Sequence, residues 1–167
     1  MCVWAIASSR AGRNWRTVDK LVVDASVTIK WLNPHEPLAA QANAIREDYA
    51  HGHVALFVPA FWAYEVVNGV NKAVARGDLT VEEGQEAVAL LLVVQVHVTA
   101  LPSPQESYDV ARKYQRSVYD SWYLAVAEAI GCAFWTADAK LYNAVKERLP
   151  FVRWLGDYRR DAQPASP

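Results

Sequence analysis

Short β-branched, apolar runs recur along this chain between longer stretches with helical patterning, and that rhythm limits the fold more than any other feature. Leu-Val-Val-Asp-Ala at 21–25, Val-Ala-Leu-Phe-Val at 54–58 and Cys-Ala-Phe-Trp-Thr at 132–136 read as strands buried on both faces. Residues 96–101 and 151–155 read as two shorter strands. Helices are expected over 26–33, 37–50 and 60–75, from Thr80 onward, and over 104–116, 120–131 and 138–149. Gly52, Gly77 and Gly131 stand where helices should stop, and Thr80 with Glu83 has the spacing of a capping box. Strands alternating with helices predict an α/β protein, a three-layer α/β/α sandwich around a central, mostly parallel sheet. No internal repeat or linker divides it. Residues 21–157 are expected as one domain, with 1–20 a disordered extension and 158–167 a flexible tail.

Composition narrows the class. Hydrophobic residues make up 53% and charged residues 21% of the 167, a globular balance rather than a disordered one. The net charge is −1, which argues against a general nucleic-acid coat protein but leaves room for a local basic track. Acid is concentrated early: residues 21–100 carry four basic and nine acidic side chains, an excess that a cation would compensate. Cys2 and Cys132 have neither CxxC nor zinc spacing, so a reducing, cytoplasmic setting is expected. His51 and His53 flank Gly52 and read as a solvated turn rather than a metal pair. The longest apolar run, 87–94, falls far short of the ~20 residues a membrane span needs. The apolar stretch 3–7 is too short for a signal peptide, and its positive charges follow instead of preceding it. The common phosphate loop, dinucleotide fingerprint and nucleophile elbow are all missing.

Ligands of open α/β sheets bind beyond the carboxyl ends of the strands. Four acids fall there: Asp24 at the end of the first strand, Glu65 one turn into the helix after the second, Asp120 in the first turn of the most apolar helix, and Asp138 just past 132–136. Asp24, Asp120 and Asp138 also stand at helix starts, where an acid is an ordinary cap. Glu65 lies too deep to cap. With Asn68, Lys72 and Arg76 it forms one polar stripe, which is either a solvated face or an acid at a site with a basic track leading away. Clustered carboxylates suit Mg²⁺ or Mn²⁺, which prefer oxygen ligands. Such a metal can orient water and stabilise charge on a scissile phosphate. No well-placed histidine offers an alternative base.

Four segments carry a family likeness: Val-Val-Asp-Ala-Ser with Asp24 and Ser26; Pro-Ala-Phe-Trp-Ala-Tyr-Glu-Val-Val-Asn with Glu65 and Asn68; Tyr-Asp-Ser-Trp-Tyr-Leu-Ala-Val-Ala with Asp120; and Thr-Ala-Asp-Ala-Lys-Leu with Thr136 and Asp138. In this order and spacing they resemble the PIN (PilT N-terminus) domain family, and within it the VapC-type toxins of bacterial toxin–antitoxin pairs. The likeness runs over about 21–155; the N-terminal extension and the seven tryptophans lie outside the family pattern. It implies an endoribonuclease that hydrolyses RNA phosphodiesters with metal-activated water. Asp24, Glu65, Asp120 and Asp138 would form the Mg²⁺ or Mn²⁺ site, and Ser26, Thr136 and Asn68 would support it. The likeness further implies a homodimer silenced by a cognate antitoxin.

Other readings stay open. A PIN nuclease could process RNA without an antitoxin, and a silent binding module could use its acids only as caps. A haloacid-dehalogenase-type phosphatase would want a second Asp where this chain has Ser26. Asp109, Arg112, Lys113 and Arg116 share a helical face that is either an RNA path or a solvated surface with an Asp109–Lys113 pair. The 87–98 run and the tryptophans are expected in the core, or else at a dimer face or antitoxin groove.

Overall fold

The structure is a computed structural model that describes residues 18–159 apart from Pro34 and Leu101. Residues 1–17 of the expected extension and the end of the expected tail lie outside those residues, whereas Asp19 and Lys20, also expected in the extension, pair with the second strand as the start of the first. Five strands form the sheet: β1 (Asp19–Val23), β2 (Val54–Pro59), β3 (His97–Thr99), β4 (Ala133–Thr136) and β5 (Val152–Trp154). Their order is β3-β2-β1-β4-β5 and every pairing is parallel. Val22, Val23, Leu56, Val58 and Phe134 are fully enclosed, which is why these runs read as apolar without alternation.

Among the described residues seven α-helices accompany the strands: α1 (Ala25–Leu32), α2 (Ala39–His51), α3 (Trp62–Arg76), α4 (Val81–Leu91), α5 (Pro104–Tyr114), α6 (Val118–Ile130) and α7 (Ala139–Val145). The α6 helix packs against β1, β2 and β4, and α7 against β4 and β5, completing the three-layer α/β/α sandwich. Among the described residues no helix is long and apolar enough to cross a membrane. Gly77 and Gly131 close α3 and α6 in the left-handed region (φ 81 and 73), and the Thr80–Glu83 capping box opens α4.

Beyond the earlier start of β1, the sequence expectations need four adjustments. Asp120 does not begin α6: the helix starts at Val118, and the Ser117 hydroxyl caps it by accepting from the Asp120 N–H at 3.0 Å. The last helix stops at Val145 and continues to Leu149 only as turns. Tyr158, expected in the tail, is buried: its hydroxyl donates to buried Asp48 at 2.7 Å and its ring meets Trp135 edge-on. The tryptophans do not make a surface. Trp31 and Trp62 are buried and the other described ones are partly so, whereas Leu92, Val93 and Val98 are the large apolar side chains exposed in the 87–98 run.

Candidate active site

The chain runs outward from β1 to β2 and β3, then returns to place β4 on the other side of β1. The crevice between β1 and β4 is therefore the point where strand order reverses, the usual ligand position in such sheets. Asp24 follows β1 there and Asp138 follows β4.

Asp24 is 6% exposed. Its Oδ1 accepts from the Ser26 hydroxyl at 2.5 Å and from the Val27 N–H at 3.1 Å, which caps α1. Its Oδ2 accepts from the Thr136 hydroxyl at 2.5 Å. Each hydroxyl in turn accepts a backbone N–H at 2.9 Å, Ser26 from Ala137 and Thr136 from Asp138, so its single proton is directed at Asp24. Burial outweighs these hydrogen bonds and, with the charge of Asp138, pushes Asp24 up to about 6. Asp138 is exposed and caps α7, accepting from the Lys140 and Leu141 N–H groups at 2.8 and 2.9 Å.

Glu65 projects from the first turn of α3, half-buried, and accepts from the Tyr123 hydroxyl at 2.6 Å. Burial raises its pKa, the Tyr123 bond lowers it, and the charge of Asp120 raises it again. The acids thus lie in two electrostatic pairs, Asp24 with Asp138 and Glu65 with Asp120. Tyr123 stands between them: its phenol pKa is driven far up by burial, then by the charge and hydrogen bond of Glu65, and further by Asp24. Tyr123 was not anticipated from the sequence, although its i+3 spacing from Asp120 puts both on one face of α6.

Among the described residues none of the four acids is in an ion pair with Lys or Arg. Nor do three or more His, Cys, Asp or Glu side chains there close into a ready metal cage. Like charges favour such an open arrangement. The donors are carboxylate and hydroxyl oxygens, with neither imidazole nor thiolate, a set that fits a hard divalent cation. Removing the Tyr123 hydroxyl tests the bridge. Tyr123→Phe leaves Glu65 partly desolvated without its donor, so we expect a loss of about 1–2 kcal/mol, roughly 3–6 °C in Tm. An unchanged melt would show that this bond does not hold Glu65.

The remaining candidates separate. Asn68 is exposed one turn beyond Glu65 and lines an open cleft of about 350 Å³ with Ser26, Glu65, Lys72 and Arg76. His51 ends α2, Gly52 turns the chain, and His53 Nδ1 lies 3.3 Å from Asp48 Oδ1, so this pair belongs to a structural turn. The Asp109–Lys113 pair is not formed: Asp109 accepts from Gln105 at 3.0 Å, and the Lys113 ammonium lies 4.9 Å from the centre of the Tyr114 ring. Arg112 and Arg116 line a different hollow with Tyr108 and Val118. Cys132 is half-buried, and burial pushes its thiol up to about 11, the opposite of a nucleophile.

Known proteins share both fold and sequence pattern. Ribonuclease VapC12 of Mycobacterium tuberculosis is 29% identical over 122 residues, spanning 72% of this chain and 88% of its own. The crystal structure of PAE2754 from Pyrobaculum aerophilum superposes with a TM-score of 0.56 at 19% identity, covering 84% of this chain and 93% of that one. VapC20 of M. tuberculosis, described as a sarcin-ricin loop cleaving toxin, superposes at 0.53 with 17% identity, over 75% of this chain and 95% of its own. The PIN domain profile matches residues 21–147. With these strands, this strand-order reversal and this sequence match, the chain belongs to the PIN domain family.

Proposed function

We propose that this protein is a divalent-metal-dependent endoribonuclease acting as the toxin of a type II toxin–antitoxin pair. The observation that carries the reading is the state of Asp24 and Glu65. Both are held at least half out of water and displaced toward protonation, and among the described residues no basic side chain pairs with either. A folded chain that keeps buried carboxylates without a counter-charge is suited to receive a cation. Capping accounts for Asp24 and Asp138 but not for Glu65, so the silent-module reading leaves its burial unexplained.

Asp24, Glu65, Asp120 and Asp138 would hold Mg²⁺ or Mn²⁺, and the bound cation would supply charge neutralisation at the phosphate and a more acidic water. Ser26 and Thr136 orient the Asp24 carboxylate through their directed protons, and Tyr123 fixes Glu65. The likeness to ribonuclease VapC12 supports RNA as the substrate, and a cytoplasmic setting belongs to the same proposal. A homodimer and an inhibitory antitoxin belong to the same proposal. The exposed Leu92, Val93 and Val98 offer an apolar edge that such a contact would cover.

The test is incubation of the purified chain with total RNA in Mg²⁺, in Mn²⁺ and in chelator, followed by mapping of the cut ends. Cleavage only with metal, leaving 5′-phosphate and 3′-hydroxyl ends, is expected. Cutting that survives excess chelator, or that leaves 2′,3′-cyclic phosphates, rules the mechanism out. Co-expression with the neighbouring gene product should relieve growth arrest and yield a complex.

A further inference from the structure

The proposed chemistry leaves the rest of the α3 stripe unused. The cleft between α1 and α3 starts at Ser26 and Glu65 and carries Lys30, Glu36, Asn68, Lys72 and Arg76 along its walls. Gly69 also lines it: a Cβ there would come within 2.1 Å of Ile29 Cδ1, so glycine permits the close approach of the two helices. The acidic stretch 21–100 has only four basic residues, and three of them, Lys30, Lys72 and Arg76, meet in this one cleft. Chance placement on a solvated face would scatter them.

Glu36 sits among these cations. Its Oε2 is 3.2 Å from Lys30 Nζ and its Oε1 is 3.8 Å from Arg76 Nη2, while Arg76 also reaches Asp78 at 2.7 Å. Lys72 has no acidic partner among the described residues. An anionic oxygen pair bridging a lysine and an arginine is the arrangement a phosphate adopts between the same groups. We propose that this cleft is a phosphate subsite for the RNA backbone flanking the cut. Lys72 is its standing contact, and Glu36 is a resident carboxylate that the incoming phosphate displaces to recruit Lys30 and Arg76. The inference rests on the RNA-cleaving reading. It explains how a chain of net charge −1 holds a polyanion beside four acids.

The test uses the full chain, a short single-stranded RNA and a salt series, with kcat and KM measured separately for each variant. Lys72→Gln is expected to raise KM roughly three- to tenfold with kcat retained. It should also flatten the slope of log(1/KM) against log[salt] by about 0.7, one phosphate contact on a single strand. Lys72→Arg should restore both. Glu36→Gln should act in the opposite direction and lower KM about two- to fivefold, the scale of a weak ion pair. Lys146→Gln, at the end of α7 distant from Asp138, is the control and should change neither quantity. RNA binding by a non-cleaving Asp120→Asn background should follow the same order. If the parent cleaves RNA but Lys72→Gln and Glu36→Gln keep its KM and salt slope, the subsite is overturned while the nuclease reading stands. A cleft serving an acidic protein segment would give that result. A parent that neither binds nor cleaves RNA overturns both.

Discussion

Asp120→Asn is expected to lower RNA cleavage by at least ~10²-fold, since it removes a charge from the site proposed to stabilise a reacting phosphate. The Tm of the metal-free protein should stay within about 2 °C of the parent. The cap of α6 belongs to Ser117, whose hydroxyl accepts from the Asp120 N–H, so the substitution leaves the cap intact. Two smaller effects oppose each other. Loss of an acid from the first turn of a helix forfeits about 0.3–1 kcal/mol of favourable dipole interaction. Relief of repulsion on Glu65 returns a similar amount, because burial and the Tyr123 hydrogen bond weigh more on Glu65 than Asp120 does. The metal response separates the possibilities. If the proposed site takes Mn²⁺ in the folded state alone, the ion should raise the Tm of the parent, and Asp120→Asn should lose most of that gain. An Asp120→Asn protein that keeps both its Mn²⁺ shift and its activity would remove Asp120 from the site.

That mistaken helix start shows where one-dimensional patterning stops. Ser117 and Asp120 are both good capping residues three positions apart. Apolar periodicity cannot choose between them, because Val118 and Tyr119 are exposed and add nothing to the buried stripe. Strands were easier to read: Val22, Val23, Leu56, Val58 and Phe134 are enclosed on both sides of a parallel sheet, which demands unbroken apolar runs. The positions of Asp24, Glu65 and Asp138 in the fold are legible because strand ends and helix turns place them. Tyr123 was hidden among the apolar residues of α6, and only the partner hydroxyl–carboxylate contact across 58 positions sets it apart from core. Tyr158 was assigned to the tail for the same reason, since its anchor, Asp48, lies 110 positions away. Tryptophan left an interface open beside the expected core, because its ring serves both equally. Here Trp62 donates from its indole to Thr28 at 3.1 Å and Trp31 to the Ala42 carbonyl at 2.7 Å, which satisfies both inside the fold.

Acidification should stabilise the metal-free protein through Asp24. Burial raises this carboxyl from 3.8 to about 6, so the folded state holds its proton more tightly than the unfolded chain. Its contribution to stability is therefore complete below 3.8 and is lost as pH rises through about 6. Full ionisation would cost on the order of 3 kcal/mol, and between about pH 7.5 and about pH 5 roughly 1–2 kcal/mol of that should be recovered, about 3–6 °C in Tm. Other groups titrate in the same range, so the quantity to follow is the Tm of the parent minus that of Asp24→Asn, both in chelator. Asn cannot ionise and keeps the cap on α1. The difference should be negative near neutral pH and climb as pH falls through 6. Added Mn²⁺ should invert the neutral-pH ranking: the parent, with its carboxylate neutralised by the ion, gains stability that the variant does not. Protons compete with the cation for the same oxygens, so the Mn²⁺ gain should shrink over the interval in which the metal-free parent improves. A parent–variant difference that stays flat with pH would mean that Asp24 is ionised at no cost in the fold, and the buried-charge argument for a cation site would fall with it.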